Sequence, residues 1–333
     1  MHVTVMDLEP FQADSPLEAR WAPMLRNLLP LWSLPGHAET LNTPLEQAIA
    51  RMVLGRPMHP DEDGCLPLTA WSRGDEGAWG TLTPCHGLVG SDRITGLPPE
   101  ALALDEAQSR ALFGAIEPLF ASEGVELLWH STLSWHVRHE SLRGLPCASL
   151  RRMVGDSMQR WQAQTPLARS RLLRRLQNEA QMVLHAHPVN EARAAQRALV
   201  VNSLWLWGAG ASDQLEGGPA AAEAQQRWNA IEFLESPDPL QALEAWLGNG
   251  AESLPDDSLL VLCGRSQSQA FTRRGSTAHK GLKPSSTIER WWRTLLQGSG
   301  LRTSPRRSRG EPSESITHWL AVLHEGHAPG SLS

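Results

Sequence analysis

A chain of 333 residues, 41% of them hydrophobic, is long enough for a full core in one large domain or two modest ones. Its formal charge of -6, from 30 basic and 36 acidic residues, argues against a general nucleic-acid binder, which needs a concentrated basic face. No apolar run is long enough to span a membrane, and the first residues (MHVTVMDLEP) show no basic region ahead of an apolar run, so a cytoplasmic protein is expected.

His2 to Met6 is β-branched and alternating, and predicts a first strand. Asp7 closes it, at a position that open α/β sheets often use for catalysis or metal binding and as often for a loop or cap. Leu17 to Leu34 is apolar at helical spacing but interrupted by Pro23 and Pro30, which predicts broken helices. Thr43, Pro44 and Glu46 form a helix start, with Thr43 as the cap, and the helix should run to Leu54. Residues 55–75 predict a loop with a short element at Leu66 to Trp71. His59, Asp61, Glu62 and Asp63 read there as a solvated turn.

Ala78 to Leu97 predicts two strands around the turn at Val89 to Asp92. Leu104 to Ser122 is amphipathic at helical period, with Leu112, Ile116, Leu119 and Phe120 on one face. Val125 to His130 and Leu133 to His139 predict a hairpin, so the local order is β-β-α-β-β. Leu142 to Thr165 is helical but broken. Pro219 to Leu234 and Asp238 to Leu247 predict two helices, and Ser258 to Cys263 a short buried strand. With the strand at Val201 to Gly208 these make a β-α-α-β unit suited to parallel pairing through a crossover. Glu289 to Leu296 predicts a last helix, THWLAVLHE a short terminal one, and the Ser, Arg, Pro and Gly between them disorder.

The predicted class is α/β of the mixed α+β kind: a mixed sheet with the β-β-α-β-β segment and the C-terminal β-α-α-β unit, helices packed on the sheet. Residues 1–297 are expected to form one globular domain, with 150–165 the place for any subdivision, and 298–333 a disordered tail. The 14 Trp, against 5 Phe and no Tyr, should fill the core. The four cysteines, Cys65, Cys85, Cys147 and Cys263, lie far apart with no CxxC pair. That points to reduced, buried thiols, and to neither structural zinc nor a redox motif.

The densest polar group lies at Leu172 to Gly210. On its long helix Asn178, Gln181 and His185 share a face. His187-Pro188 ends the helix, because the residue before proline leaves the α region. Asn190 then caps a short second helix. The candidate ligand site is Gln181, His185, His187, Asn190, Glu191 and Arg193, meeting the turn after Trp207, near Asn202. His185 and His187 would act as acid or base, and Arg193 would hold a phosphate or carboxylate. The competing reading is that these residues satisfy one another and the freed helix carbonyls. No metal site is assigned: on one helix His185 and His187 would point about 200° apart. Gly208 and Gly210 fail the dinucleotide fingerprint, since Asp213 stands where the third glycine belongs, and read as a turn that ends the strand.

The patterns QMVLHAHPVNEAR and VNSLWLWG are long and unusual. Across Leu172 to Gly210, and more weakly through WGTLTPCHGLVGSDRITG, ALALDEAQSRALF and GLPCASLRRMVG, the chain resembles the RpfE-type family of bacterial regulatory proteins. Members of that family are sometimes labelled cofactor-independent phosphoglycerate mutase. The resemblance implies a bacterial regulatory protein that binds a small ligand or a protein partner, with no nucleic-acid or membrane partner. The mutase label implies the alternative, a metal-dependent phosphoryl-transfer enzyme. Such mutases hold two metal ions with Asp and His and pass the phosphoryl group through Ser. Asp7 follows a first strand as their first metal ligand does, Leu8 stands where their pattern has Gly, and the chain has no Asp-His dipeptide. No cofactor is expected, save a divalent metal under that alternative.

Overall fold

The computed structural model describes residues 3–7, 28–35, 39–234, 259–263 and 267–273, with Gln241 and Ala245 as isolated helical positions. In chain order the elements are β1 (Val3–Asp7), β2 (Leu28–Pro35), α1 (Pro44–Leu54), α2 (Leu68–Arg73), β3 (Ala78–Cys85), β4 (Gly87–Val89), β5 (Ile94–Gly96), α3 (Glu106–Ala121), β6 (Glu126–Ser131), β7 (Ser134–Arg138), α4 (Leu150–Met153), α5 (Met158–Ala163), α6 (Leu167–His185), α7 (Pro188–Ala195), β8 (Ser203–Ala211), α8 (Ala221–Asn229), β9 (Ile231–Leu234), β10 (Leu259–Cys263) and β11 (Gln267–Arg273). The class is mixed α/β, with sheets packed against helices. Of the helix expected at Asp238 to Leu247 only Gln241 and Ala245 are described, both helical, while the helices expected at Glu289 to Leu296 and at the C-terminus, with the tail 298–333, lie outside the described stretches.

The chain divides into two compact units. The first is built from residues 1–38, 43–58 and 227–333, the second from 39–42 and 59–226, so residues 150–165 fall inside the second.

In the first unit a five-stranded sheet runs in the order β2-β11-β10-β1-β9. β1 pairs in parallel with both β9 and β10, and β11 is antiparallel to β10 and β2. Val3, Val5 and Met6 are buried, as are all five residues of β10. Continuous apolar runs of this kind suit strands covered on both faces. α1 begins as expected: Glu46 accepts from the Thr43 backbone N–H, closing a capping box with Pro44 at the first position.

Three sequence expectations change here. Leu28 to Pro35 is a strand, not a helix. Among the described strands β2 stands at the sheet edge, where a proline's missing N–H is tolerated. Ile231 to Leu234 leaves the predicted helix and becomes β9; its four residues are too few to show a period. The parallel partner of β10 is β1, not the VNSLWLWG strand, so the expected C-terminal crossover unit does not form.

In the second unit a four-stranded antiparallel sheet runs β6-β7-β3-β8, and β4 and β5 form a separate ribbon. The β6–β7 hairpin appears as expected. The hairpin expected across Ala78 to Leu97 narrows to β4–β5, while β3 pairs with β7 and β8. One face of the sheet carries Leu82, Trp135, Val137, Leu204 and Leu206. It packs under α3 and α6, which contribute Leu112, Ile116, Phe120, Leu173, Leu176 and Leu184. Ser109 of α3 anchors this core. Its hydroxyl donates to the Thr132 carbonyl and accepts the indole N–H of both Trp129 and Trp135. A smaller cluster on the other face joins Cys85, Trp205, Met153, Met158 and Trp161.

Gly208 and Gly210 do not end the strand. They lie inside β8, at φ 62° and 147°, opposite a register shift between Trp79 and Thr81. That is a bulge, which glycine makes cheap. A Cβ on Gly208 would sit 3.0 Å from the Thr69 hydroxyl, so the bulge also lets α2 approach β8. No helix among the described residues is long and apolar enough to cross a membrane.

Candidate functional site

The break between α6 and α7 forms where proline requires it. α6 stops at His185, and Pro188 occupies the first position of α7. His187 is the cap: its Nδ1 accepts the Val189 N–H at 3.2 Å. Asn190, 4% exposed, donates from Nδ2 to the carbonyls of Leu184 and Val201, both at 2.8 Å. Its Oδ1 accepts the Val201 N–H at 2.9 Å. One amide thus ties the end of α6 to the chain entering β8.

Arg193 is equally committed. Nε donates to the Leu199 carbonyl at 2.8 Å, Nη1 to the side-chain oxygen of Gln108, and Nη2 to the Leu102 carbonyl. Asn202 clamps Gly87 from both sides, donating to its carbonyl at 3.0 Å and accepting its N–H at 2.7 Å. Gln181 donates to the Ser203 hydroxyl at 3.3 Å. His185 and Glu191 are exposed. Of the seven candidate residues, His187, Asn190 and Arg193 therefore meet the fold at the break itself. Gln181 and Asn202 meet it along the start of β8 and β4, and His185 and Glu191 face water.

The HPDED loop is also put to use. Glu62 is buried and accepts the His59 N–H at 2.7 Å, and the Asp63 carboxylate accepts the N–H groups of Leu41 and Asn42 at 2.7 and 2.9 Å. The side chains of His59 and Asp61 are exposed, as expected of a solvated turn.

A second polar group was not singled out by sequence. His130 and His136 stack with ring centroids 4.4 Å apart, and Arg73 Nη1 lies 2.9 Å from His136 Nδ1. The guanidinium donates, so that nitrogen must be the acceptor. Arg73 also pairs with Asp75 and lies 3.9 Å over the Trp79 ring. The signal was present: alternation in the WHS and WHV runs sets both histidines on one face of the hairpin.

Burial first, then His130 and Arg73, push the His136 imidazole down to about 4 from 6.5. An unfolded chain takes up that proton before the folded one does. The group's contribution is thus complete above pH 6.5 and is lost as pH falls toward 4. His136 is 5% exposed, yet its ring lies against the exposed His130, so the loss is set at about 2 kcal/mol, below the full value of the shift. Urea unfolding should show wild type losing stability between pH 7 and 4.5 faster than His136→Gln. Equal slopes would show that His136 is not held neutral.

Cys65, Cys85 and Cys147 are free thiols. Burial pushes the Cys85 and Cys147 thiols up to about 12, which leaves them protonated and poor nucleophiles.

In the first unit, Asp7 is the last residue of the strand that lies between β9 and β10. Its register partner is Cys263, the last residue of β10, and Met6 pairs with Leu234, the last of β9. The three parallel strands thus end together, with Asp7 at the central carboxyl end. Among the described residues no group of three or more His, Cys, Asp or Glu is placed to hold a metal ion.

No protein-family model and no curated protein matches this chain. Solved structures that match include a cofactor-independent phosphoglycerate mutase from Thermoplasma acidophilum, 12% identical, covering 90% of this chain and 100% of that one at a TM-score of 0.33. Another is the PH0037 protein from Pyrococcus horikoshii, 11% identical, covering 99% of each chain at a TM-score of 0.43. The site is therefore read from this chain's own residues.

Proposed function

We propose that this is a cytoplasmic ligand-binding protein with the regulatory role that the RpfE-type resemblance implies, and that it meets a small ligand at the carboxyl ends of β9, β1 and β10. The observation that supports this placement is Asp7 at the end of the middle one of three parallel strands. Open α/β sheets bind ligands outside the carboxyl ends of their strands, where no ladder bond consumes the emerging backbone groups. The break between α6 and α7 is less suited to a ligand, because Asn190 and Arg193 spend their donors on backbone carbonyls and Gln108.

The second reading, metal-dependent phosphoryl transfer, uses the same place, and Asp7 is the residue that favours it. A carboxylate there would be the first ligand of a divalent ion. The ion would supply charge neutralisation at a transferring phosphoryl group.

The test is thermal unfolding of the full-length protein with phosphorylated and carboxylate metabolites, with and without manganese. A stabilising ligand should lose its effect in Asp7→Asn and keep it in His185→Ala and Glu191→Ala. The reverse pattern would move the site to the helix break. Stoichiometric manganese in the purified protein, with mutase activity on 3-phosphoglycerate, would establish the enzyme reading instead.

A further inference from the structure

The turn end of the β6–β7 hairpin gathers polar side chains that the fold does not use. A register shift between Trp129 and Ser131 marks a bulge in β6, and a bulge re-aims the side chains beside it. His130 lies in that bulge, stacked on His136 of β7 with the two ring planes 15° apart. Ser134 precedes His136 by two residues and so stands on the same face, and Ser131 is its partner across the ladder. Trp129 and Trp135 belong to the core, where both indoles donate to Ser109.

Arg73 decides what this group can offer. Its Nη1 donates to Nδ1 of His136, so that nitrogen keeps its lone pair and Nε2 carries the proton. No side chain among the described residues accepts that proton, and Nε2 is not one of the nitrogens closed off from solvent. His130 is exposed, Ser131 and Ser134 are half-buried, and none of the three makes a side-chain hydrogen bond among the described residues. The nearby carboxylates are already paired: Asp75 with Arg73, and Glu126 with Arg138 at the other end of the hairpin. Of the charges that act on the His136 ring, those of His130 and Arg73 exceed that of Asp75. On the β3 side its register partner is the uncharged Thr81.

We propose that this hairpin end binds an oxyanion group, phosphate or carboxylate, held by the Nε2–H of His136, the His130 imidazole and the hydroxyls of Ser131 and Ser134. The donor set selects the ligand. A metal ion needs imidazole lone pairs, and Arg73 leaves His136 a proton at Nε2 instead. An apolar ligand would cover four polar groups without pairing them, which is costly. An oxyanion accepts from all four and meets no unpaired carboxylate. Arg73 is a positioning residue here: its own charge is answered by Asp75, and its part is to fix the tautomer of His136. An anion beside the ring favours the charged imidazole, so binding tightens as the pH is lowered. The site lies wholly in the second unit and involves neither Asp7 nor the ligand read in the first.

Imidazole nitrogen NMR of the full-length protein tests this directly. Without ligand, His136 should show the Nε2–H tautomer. Inorganic phosphate and acetate are then titrated separately, against sodium chloride at matched ionic strength. One or both anions should shift the His130 and His136 signals to saturation, and which of them does so tells phosphate from carboxylate recognition. His130→Ala, and Ser131→Ala combined with Ser134→Ala, should each weaken that binding about tenfold, the loss expected for a hydrogen bond to a charged group. These side chains have no partner in the fold, so the unfolding temperature of each variant should match wild type. Arg73→Met should release His136 into exchange between tautomers, a change that loss of stability alone does not produce. An Nδ1–H tautomer in the wild type, shifts that chloride reproduces, shifts that never saturate, binding indifferent to both sets of substitutions, or tighter binding of zinc at these rings would each overturn the proposal.

Discussion

Arg193→Ala is expected to destabilise the second unit by about 4 kcal/mol, among the largest effects of any single truncation in this chain. Arg193 is 5% exposed and is held by two backbone carbonyls and the Gln108 side chain. Truncation deletes a charge-assisted bond to each and leaves the Leu102 and Leu199 carbonyls without that donor. Water cannot reach these positions freely, so their desolvation is no longer offset. Arg193→Lys should recover only part of the loss, because one ammonium cannot span three acceptors arranged for a planar fork. Urea denaturation of both variants is the measurement. If Arg193→Ala unfolds at the wild-type midpoint, the guanidinium is not what joins α7 to the start of α3.

Ser109→Ala should cost about 3 kcal/mol, which is large for the loss of one oxygen. The hydroxyl has one proton and two lone pairs, and all three are used: by the Thr132 carbonyl and by the indoles of Trp129 and Trp135, each at 3.1 Å. Trp135 is fully buried, so its N–H has no route to water once the oxygen is gone. The substitution orphans two donors and one acceptor while removing almost no packing. A double-mutant cycle separates these contributions. Trp135→Phe made in the Ser109→Ala background should destabilise less than in wild type, because the orphaned N–H is then absent. Full additivity would mean that the serine and the indole are not coupled.

The sequence showed most clearly what is local. The cap and proline that start α1, the amphipathic period of α3, the β6–β7 hairpin and the break at His187-Pro188 are each written within a few residues of where they act. The pairings of β1 are not, since its register partners Ile231 and Leu259 lie far along the chain. Likewise the strand character of Leu28 to Pro35 depends on its standing at a sheet edge, which no property of those eight residues declares. At the helix break, sequence identified polar side chains beside an apolar strand but not their partners. Asn190 and Arg193 bind mostly backbone carbonyls, and a carbonyl is the one group every residue carries. His136 escaped notice for a related reason: what marks it is burial against Arg73, a contact between separate elements.

The division of the chain into units has a consequence for how the protein is made. The first unit is assembled from residues on either side of the second. On the ribosome, β1 emerges first, but Ile231 and Leu259, its partners on either side, emerge only after the whole second unit. The antiparallel sheet of that second unit, by contrast, is complete once β8 has been synthesised. The nascent protein therefore passes through a period in which its second unit can be native while its earliest strand, apolar and with both edges open, still waits for a ladder. An open strand of that kind pairs with whatever edge it meets. The interval of translation from β8 to β10 is thus the stage at which β1 is most exposed to misassembly.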